Sequence, residues 1–182
     1  WAHPISLIVW RPPSSGKTAL IANLLLHQTP PFERVVVWHC DPDSQEWSHV
    51  TDEIIPDCPK IENFDHEAKN ALIIDDVAVK SLNKKDRHTL DRLCGYASTH
   101  RNISVFITGQ QPSHFPASIR RQCNVFCLWR STDMQSLRDI SIKCGIEASD
   151  LKQLLSFLET PKDSLCIDLT GSKYKYRRNI FE

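Results

Sequence analysis

Residues 4–26 read Pro4-Ile5-Ser6-Leu7-Ile8-Val9-Trp10, then Arg11-Pro12-Pro13-Ser14-Ser15-Gly16-Lys17-Thr18, then Ala19-Leu20-Ile21-Ala22-Asn23-Leu24-Leu25-Leu26. The first run is short, continuous and apolar, as a strand buried on both faces requires. The last reads as a helix, stopped by Pro30 and Pro31. Between them lies a loop that fits the phosphate-binding pattern G-x-x-x-x-G-K-S/T at every position but the first. In such a loop the backbone N–H groups and the positive end of the following helix cradle phosphate oxygens. Pro13, Ser14, Ser15, Gly16, Lys17, Thr18 and Ala19 are therefore the expected nucleotide-binding residues. Lys17 is expected to reach the β- and γ-phosphates of ATP, and the Thr18 hydroxyl to coordinate Mg²⁺. Arg11 stands where the pattern has the glycine that lets the chain leave its strand in a sharp turn. The opposing reading is a degenerate loop that no longer binds nucleotide.

Working outward, Arg34-Val35-Val36-Val37-Trp38-His39 is a second buried strand and Ala71-Leu72-Ile73-Ile74-Asp75-Asp76 a third. The polar, proline-containing stretch from Asp41 to Glu67 reads as loop with short helical pieces. Residues 84–99 carry Leu90, Leu93, Cys94 and Ala97 at helical spacing. Further strands are expected at Ile103–Thr108 and Val125–Trp129. A helix from about Thr132 to Lys143 closes at Gly145, and another begins with Ser149 as N-cap. Ser164–Leu169 and Tyr174–Asn179 flank Thr170-Gly171-Ser172 as a β-hairpin. Strands separated by helices predict a mainly parallel α/β sheet covered on both faces, made mixed by the hairpin at one edge. One domain spanning residues 1–182 is expected.

Two acids end the third strand. In phosphate-loop enzymes the first, here Asp75, holds the Mg²⁺ hydration shell. The second, Asp76, is placed to deprotonate or orient the attacking water. The competing reading is a pair of turn aspartates. After the next strand comes Thr108-Gly109-Gln110-Gln111. An amide there, beside the phosphate-binding strand, can touch the γ-phosphate and report its hydrolysis, which makes Gln110 a candidate catalytic residue. Ser118-Ile119-Arg120-Arg121 offers an arginine that can enter a neighbour's active site and stabilise transition-state charge. A surface or DNA-facing pair remains the alternative.

Composition bounds the rest. Lys plus Arg number 22 and Asp plus Glu 22, so no broad basic face dominates and any DNA contact is local or shared among subunits. Seven cysteines is an odd count, read as reduced, mostly buried thiols of an intracellular protein rather than a disulfide framework. Cys123, Cys127, Cys40 and His39 could be gathered into a zinc site on paper, but no paired C-x-x-C knuckle exists and metal binding there is not expected. Nothing reads as a signal peptide, and no apolar run approaches the ~18 residues of a membrane span, so a soluble protein is expected. Lys84, Lys85 and Arg87 form a small basic cluster that reads as solvated surface before it reads as a DNA contact.

Taken in order, these residues resemble the FtsK/HerA superfamily of DNA-pumping ATPases. Within it the chain is most similar to genome-packaging ATPases of poxvirus-like and other large DNA viruses and of Polinton/Maverick elements. The resemblance rests on residues 12–18, on the Leu72-to-Asp76 strand and above all on His100-Arg101-Asn102-Ile103-Ser104-Val105-Phe106-Ile107-Thr108-Gly109-Gln110, followed by Ile119-Arg120. It implies a three-layer RecA-like P-loop NTPase fold with antiparallel C-terminal edge strands. It implies ATP and Mg²⁺ as cofactors, with Lys17 and Thr18 on phosphate and metal, Asp75 on metal and Asp76 activating water. It also implies Gln110 as sensor and Arg120, less surely Arg121, as the trans-acting arginine. The partners implied are double-stranded DNA, a capsid or portal-vertex protein, and further copies in a ring of five or six, at sites of virion assembly in the host nucleus or cytoplasm. Arg11 and Asp76, the latter one methylene shorter than the usual Glu, depart from the commonest pattern.

Overall fold

A computed structural model describes residues 3–10, 16–51, 53–110, 115–130, 134–171, 173 and 175–180. Its strands are β1 (Ser6–Trp10), β2 (Arg34–His39), β3 (Ile54–Ile55), β4 (Asn70–Asp75), β5 (Ile103–Gly109), β6 (Val125–Leu128), β7 (Leu165–Asp168) and β8 (Tyr176–Arg178). They form one eight-stranded sheet in the order β3-β2-β4-β5-β1-β6-β7-β8. Every pairing from β3 to β6 is parallel, whereas β6–β7 and β7–β8 are antiparallel. The mixed sheet with a C-terminal hairpin is the architecture expected above; Ser172 and Tyr174 of that hairpin lie outside the described residues.

The helices are α1 (Lys17–Leu26), α2 (Lys84–Arg92), α3 (Ser98–His100), α4 (Ala117–Gln122), α5 (Met134–Cys144) and α6 (Ala148–Ser156). Alternate side chains of the strands feed two separate cores. Leu7, Val9, Val37, Ile73 and Phe106 pack with Ile21, Leu24 and Leu25 of α1. Ile8, Trp10, Val36, Leu72, Ile74, Val105, Ile107 and Phe126 pack with residues of α2 and α4 to α6, among them Leu90, Ile119, Leu137, Ile140 and Leu151. Helix, sheet and helix make three layers. All of β1, β4 and β5 is buried, which is why each reads as a continuous apolar run rather than an alternating one.

Four local expectations change. The stretch from Asp41 to Glu67 includes β3, whose two residues are too short to leave a periodic signal. The helix over 84–99 is broken: after Arg92 it widens into a π-helical turn at Leu93–Ala97. Gly95 in that turn admits the Gln122 side chain, whose Oε1 lies 2.5 Å from where a Cβ would stand. Arg120 and Arg121 sit on a short helix, α4, where no helix was expected. Ser149 is not the N-cap of α6. The extended Glu147 takes that position, and its carbonyl accepts the first helical bond from the Leu151 N–H. Among the described residues no helix is long and apolar enough to cross a membrane.

Candidate functional site

The parallel register brings three loops to the carboxyl ends of adjacent strands. β5 lies between β1 and β4, with Trp10 opposite Gly109 and Ile74 opposite Ile107. The carboxyl ends of these strands therefore open side by side, the usual place for a ligand crevice in an α/β sheet. Gly16-Lys17-Thr18, Asp75-Asp76 and Gln110 all follow those ends. Arg11, Pro12, Pro13, Ser14 and Ser15 lie outside the described residues, as does Gln111.

Gly16 caps α1 at φ 86°, a left-handed conformation that costs a residue with a Cβ about 1 kcal/mol or more. Its carbonyl accepts the first helical bond from the Leu20 N–H at 3.0 Å. The first turn of α1 contains no acidic residue of its own, which favours an anion at the positive end of the helix. Lys17 is buried while Ala19 is exposed in that same turn.

The two aspartates have opposite surroundings. Asp75 is 3% exposed, and both its oxygens are engaged. The indole N–H of Trp47 donates to Oδ2 at 2.8 Å, and the Thr108 hydroxyl donates to Oδ1. Asp76 is exposed and left-handed at φ 51°, so the chain turns sharply out of β4 there. Aspartate tolerates this region better than most residues. Gln110 is exposed just past β5.

Thr18 donates its hydroxyl proton to Glu46 Oε2 at 3.2 Å. Neither Glu46 nor Trp47 was singled out from sequence. Both sit in the polar stretch after β2, and the one local hint is a single large aromatic among polar neighbours. Thr18, Glu46 and Asp75 offer oxygen donors only, the hard ligands that suit Mg²⁺. Among the described residues no group of three or more His, Cys, Asp or Glu is placed to hold a metal by itself, and Cys123, Cys127, Cys40 and His39 are not gathered.

Arg120 is held within its own chain. Its guanidinium meets Asp139 Oδ2 at 2.7 Å and also donates to the Phe115 carbonyl. Arg121 is exposed on the same helix, and Lys143 donates to its carbonyl. Arg120, Arg121, Asp139 and Lys143 border a cavity of about 340 Å³ that Ile142 also lines. The link back to the sheet edge runs through Phe115, whose ring lies 2.4 Å from the position a Cβ on Gly109 would take. Only a glycine at the end of β5 allows that approach.

No protein-family profile and no curated protein matches the sequence. Solved structures do match in fold. The DNA-packaging ATPase of Sulfolobus turreted icosahedral virus gives a TM-score of 0.68 at 15% identity, over 99% of this chain and 100% of that one. The genome-packaging NTPase of Sulfolobus turreted icosahedral virus 2, in complex with ATP-gammaS, gives 0.66 at 14% identity, over 98% and 100%. The pCW3 conjugation coupling protein TcpA with ATPgS gives 0.61 at 14% identity, over 99% of this chain and 61% of that one. The chain thus shares its fold with these solved structures, and with the viral packaging enzymes among them along its whole length.

Proposed function

We propose that this chain is an ATP-hydrolysing motor that moves double-stranded DNA and, as one domain of residues 1–182 repeated in a homo-oligomeric ring of five or six, drives a viral genome into a preformed capsid. The observation that carries the reading is the pairing of a glycine-capped helix start, Gly16-Lys17-Thr18, with a buried Asp75 that accepts a hydrogen bond on each oxygen, two strands away across β5. A buried carboxylate costs several kcal/mol unless it is paired or meets a cation. An acid at the carboxyl end of β4, the end of the parallel strands at which α1 begins, is what a nucleotide site needs.

In this reading the first-turn N–H groups of α1 and the loop from Pro13 bind the phosphates, and Lys17 neutralises charge on the β- and γ-phosphates. Thr18 and Asp75 hold Mg²⁺, which supplies charge neutralisation on the phosphate oxygens. Asp76, exposed beyond the strand, takes the proton of the attacking water. Gln110, at the end of the strand between the two, registers whether the γ-phosphate is present. Arg120 or Arg121 reaches the next subunit's site, which requires Arg120 to leave Asp139. DNA and a capsid or portal-vertex protein are the partners of the ring.

The fold match to TcpA favours a second reading of the same class, a DNA pump for conjugation or chromosome transfer. An inactive P-loop scaffold that binds DNA or capsid protein is the third, motivated by Arg11. ATPase assays with and without double-stranded DNA, with Lys17→Ala as control, separate motor from scaffold. DNA-stimulated turnover that the variant loses supports the motor; no turnover by the intact assembly rejects it.

A further inference from the structure

We propose that Glu46 is a positioning residue of the magnesium site, an inference that rests on the nucleotide reading above. A threonine hydroxyl has one proton and two lone pairs. Here the Thr18 proton goes to Glu46 Oε2, which leaves the lone pairs of Thr18 for a cation. The next residue, Trp47, is 0% exposed and donates to the Asp75 carboxylate. One dipeptide thus reaches both oxygen groups on which the metal depends, from a loop 28 residues away from each of them in the chain.

The loop is built to hold that position. Trp47 lies in the core formed by Val9, Ile21, Val37 and Ile73, between α1 and the sheet. Its carbonyl accepts from the N–H groups of Val50 at 2.9 Å and Thr51 at 3.1 Å. The Thr51 hydroxyl bonds the Val35 carbonyl of β2 at 2.7 Å. Glu46, though exposed, is therefore placed by a buried neighbour. It adds a second carboxylate beside the hydroxyl that meets the ion, and it orients that hydroxyl. Groups that orient metal ligands in this way typically change metal affinity 10- to 100-fold when removed.

The test is calorimetric binding of ATP-gammaS across a magnesium series and in EDTA, for the wild type, Glu46→Gln and Asp43→Asn, with circular dichroism melts as the check on folding. Glu46→Gln keeps the shape of the side chain and removes its charge. Its midpoint in magnesium should rise about ten-fold or more while affinity in EDTA stays unchanged. Asp43, an exposed acid in the same loop, should leave the midpoint where it is. A Glu46→Gln midpoint within two-fold of wild type, or an equal shift from Asp43→Asn, overturns the assignment alone. A wild type with no magnesium-dependent affinity overturns the nucleotide reading and the assignment with it.

Discussion

Trp47 donates its indole N–H to Asp75 at 2.8 Å, and the acid receives its other hydrogen bond from Thr108. β4 lies between β2 and β5, and the two donors come from these flanking elements: Trp47 from the loop after β2, Thr108 from β5 itself. Asp75 is thereby fixed from both sides at the edge where α1 begins. Its position is set by the sheet rather than by its own loop.

Trp47→Phe keeps most of the buried ring and removes one donor from a buried carboxylate. It should cost about 1–3 kcal/mol of unfolding free energy, read from urea denaturation. An unchanged midpoint would show that Asp75 finds another partner and that the clamp does not matter.

Gly109→Ala should destabilise the protein by about 1–3 kcal/mol, because the new methyl meets the Phe115 ring at 2.4 Å. The backbone of Phe115 also holds Arg120, so the damage extends to α4. Adding Phe115→Leu should recover part of the thermal stability; a double variant no better than the single one would place the strain elsewhere.

Arg120 and Asp139 form a largely buried pair, 18% and 27% exposed, and the guanidinium also donates to the Phe115 carbonyl. Action on a neighbouring subunit therefore requires these contacts to be replaced by new ones across the boundary. Subunits carrying Arg120→Ala mixed with subunits carrying Asp76→Asn should regain part of the turnover that each loses, since some interfaces in the mixture keep both groups. Asparagine accepts the left-handed backbone at Asp76, so that variant tests charge and not folding. Rings that form and show no rescue would rule out action across the boundary.

The thiols make a prediction in pH. Burial raises Cys123 to about 12, and burial does the same for Cys166 and, with Asp86 nearby, for Cys58. Cys40 is the exposed thiol. A thiol reagent near pH 8 should modify Cys40 first and the buried cysteines only after denaturant is added. A folded pKa above the ordinary thiol value of about 9 favours the folded state fully below pH 9. That contribution is lost as pH rises towards 12, so stability to urea should fall across this window. Rapid reaction of several thiols in the native protein would contradict the burial.

What the chain determines locally was legible. A strand buried on both faces is mostly apolar rather than alternating, so β1, β2, β4, β5 and β6 stood out, and the two acids after the apolar run of β4 and the Gly16-Lys17-Thr18 turn were legible from their neighbours. What needed the tertiary structure was each relationship between distant segments. No periodicity announces that Glu46 will meet Thr18, that Trp47 will cover Asp75 or that Asp139 will hold Arg120. Patterning reports which face of an element avoids water, and that is a short-range property. Which loop fills the gap at a sheet edge depends on strand order and on packing against α1, and both are settled only when the whole core closes.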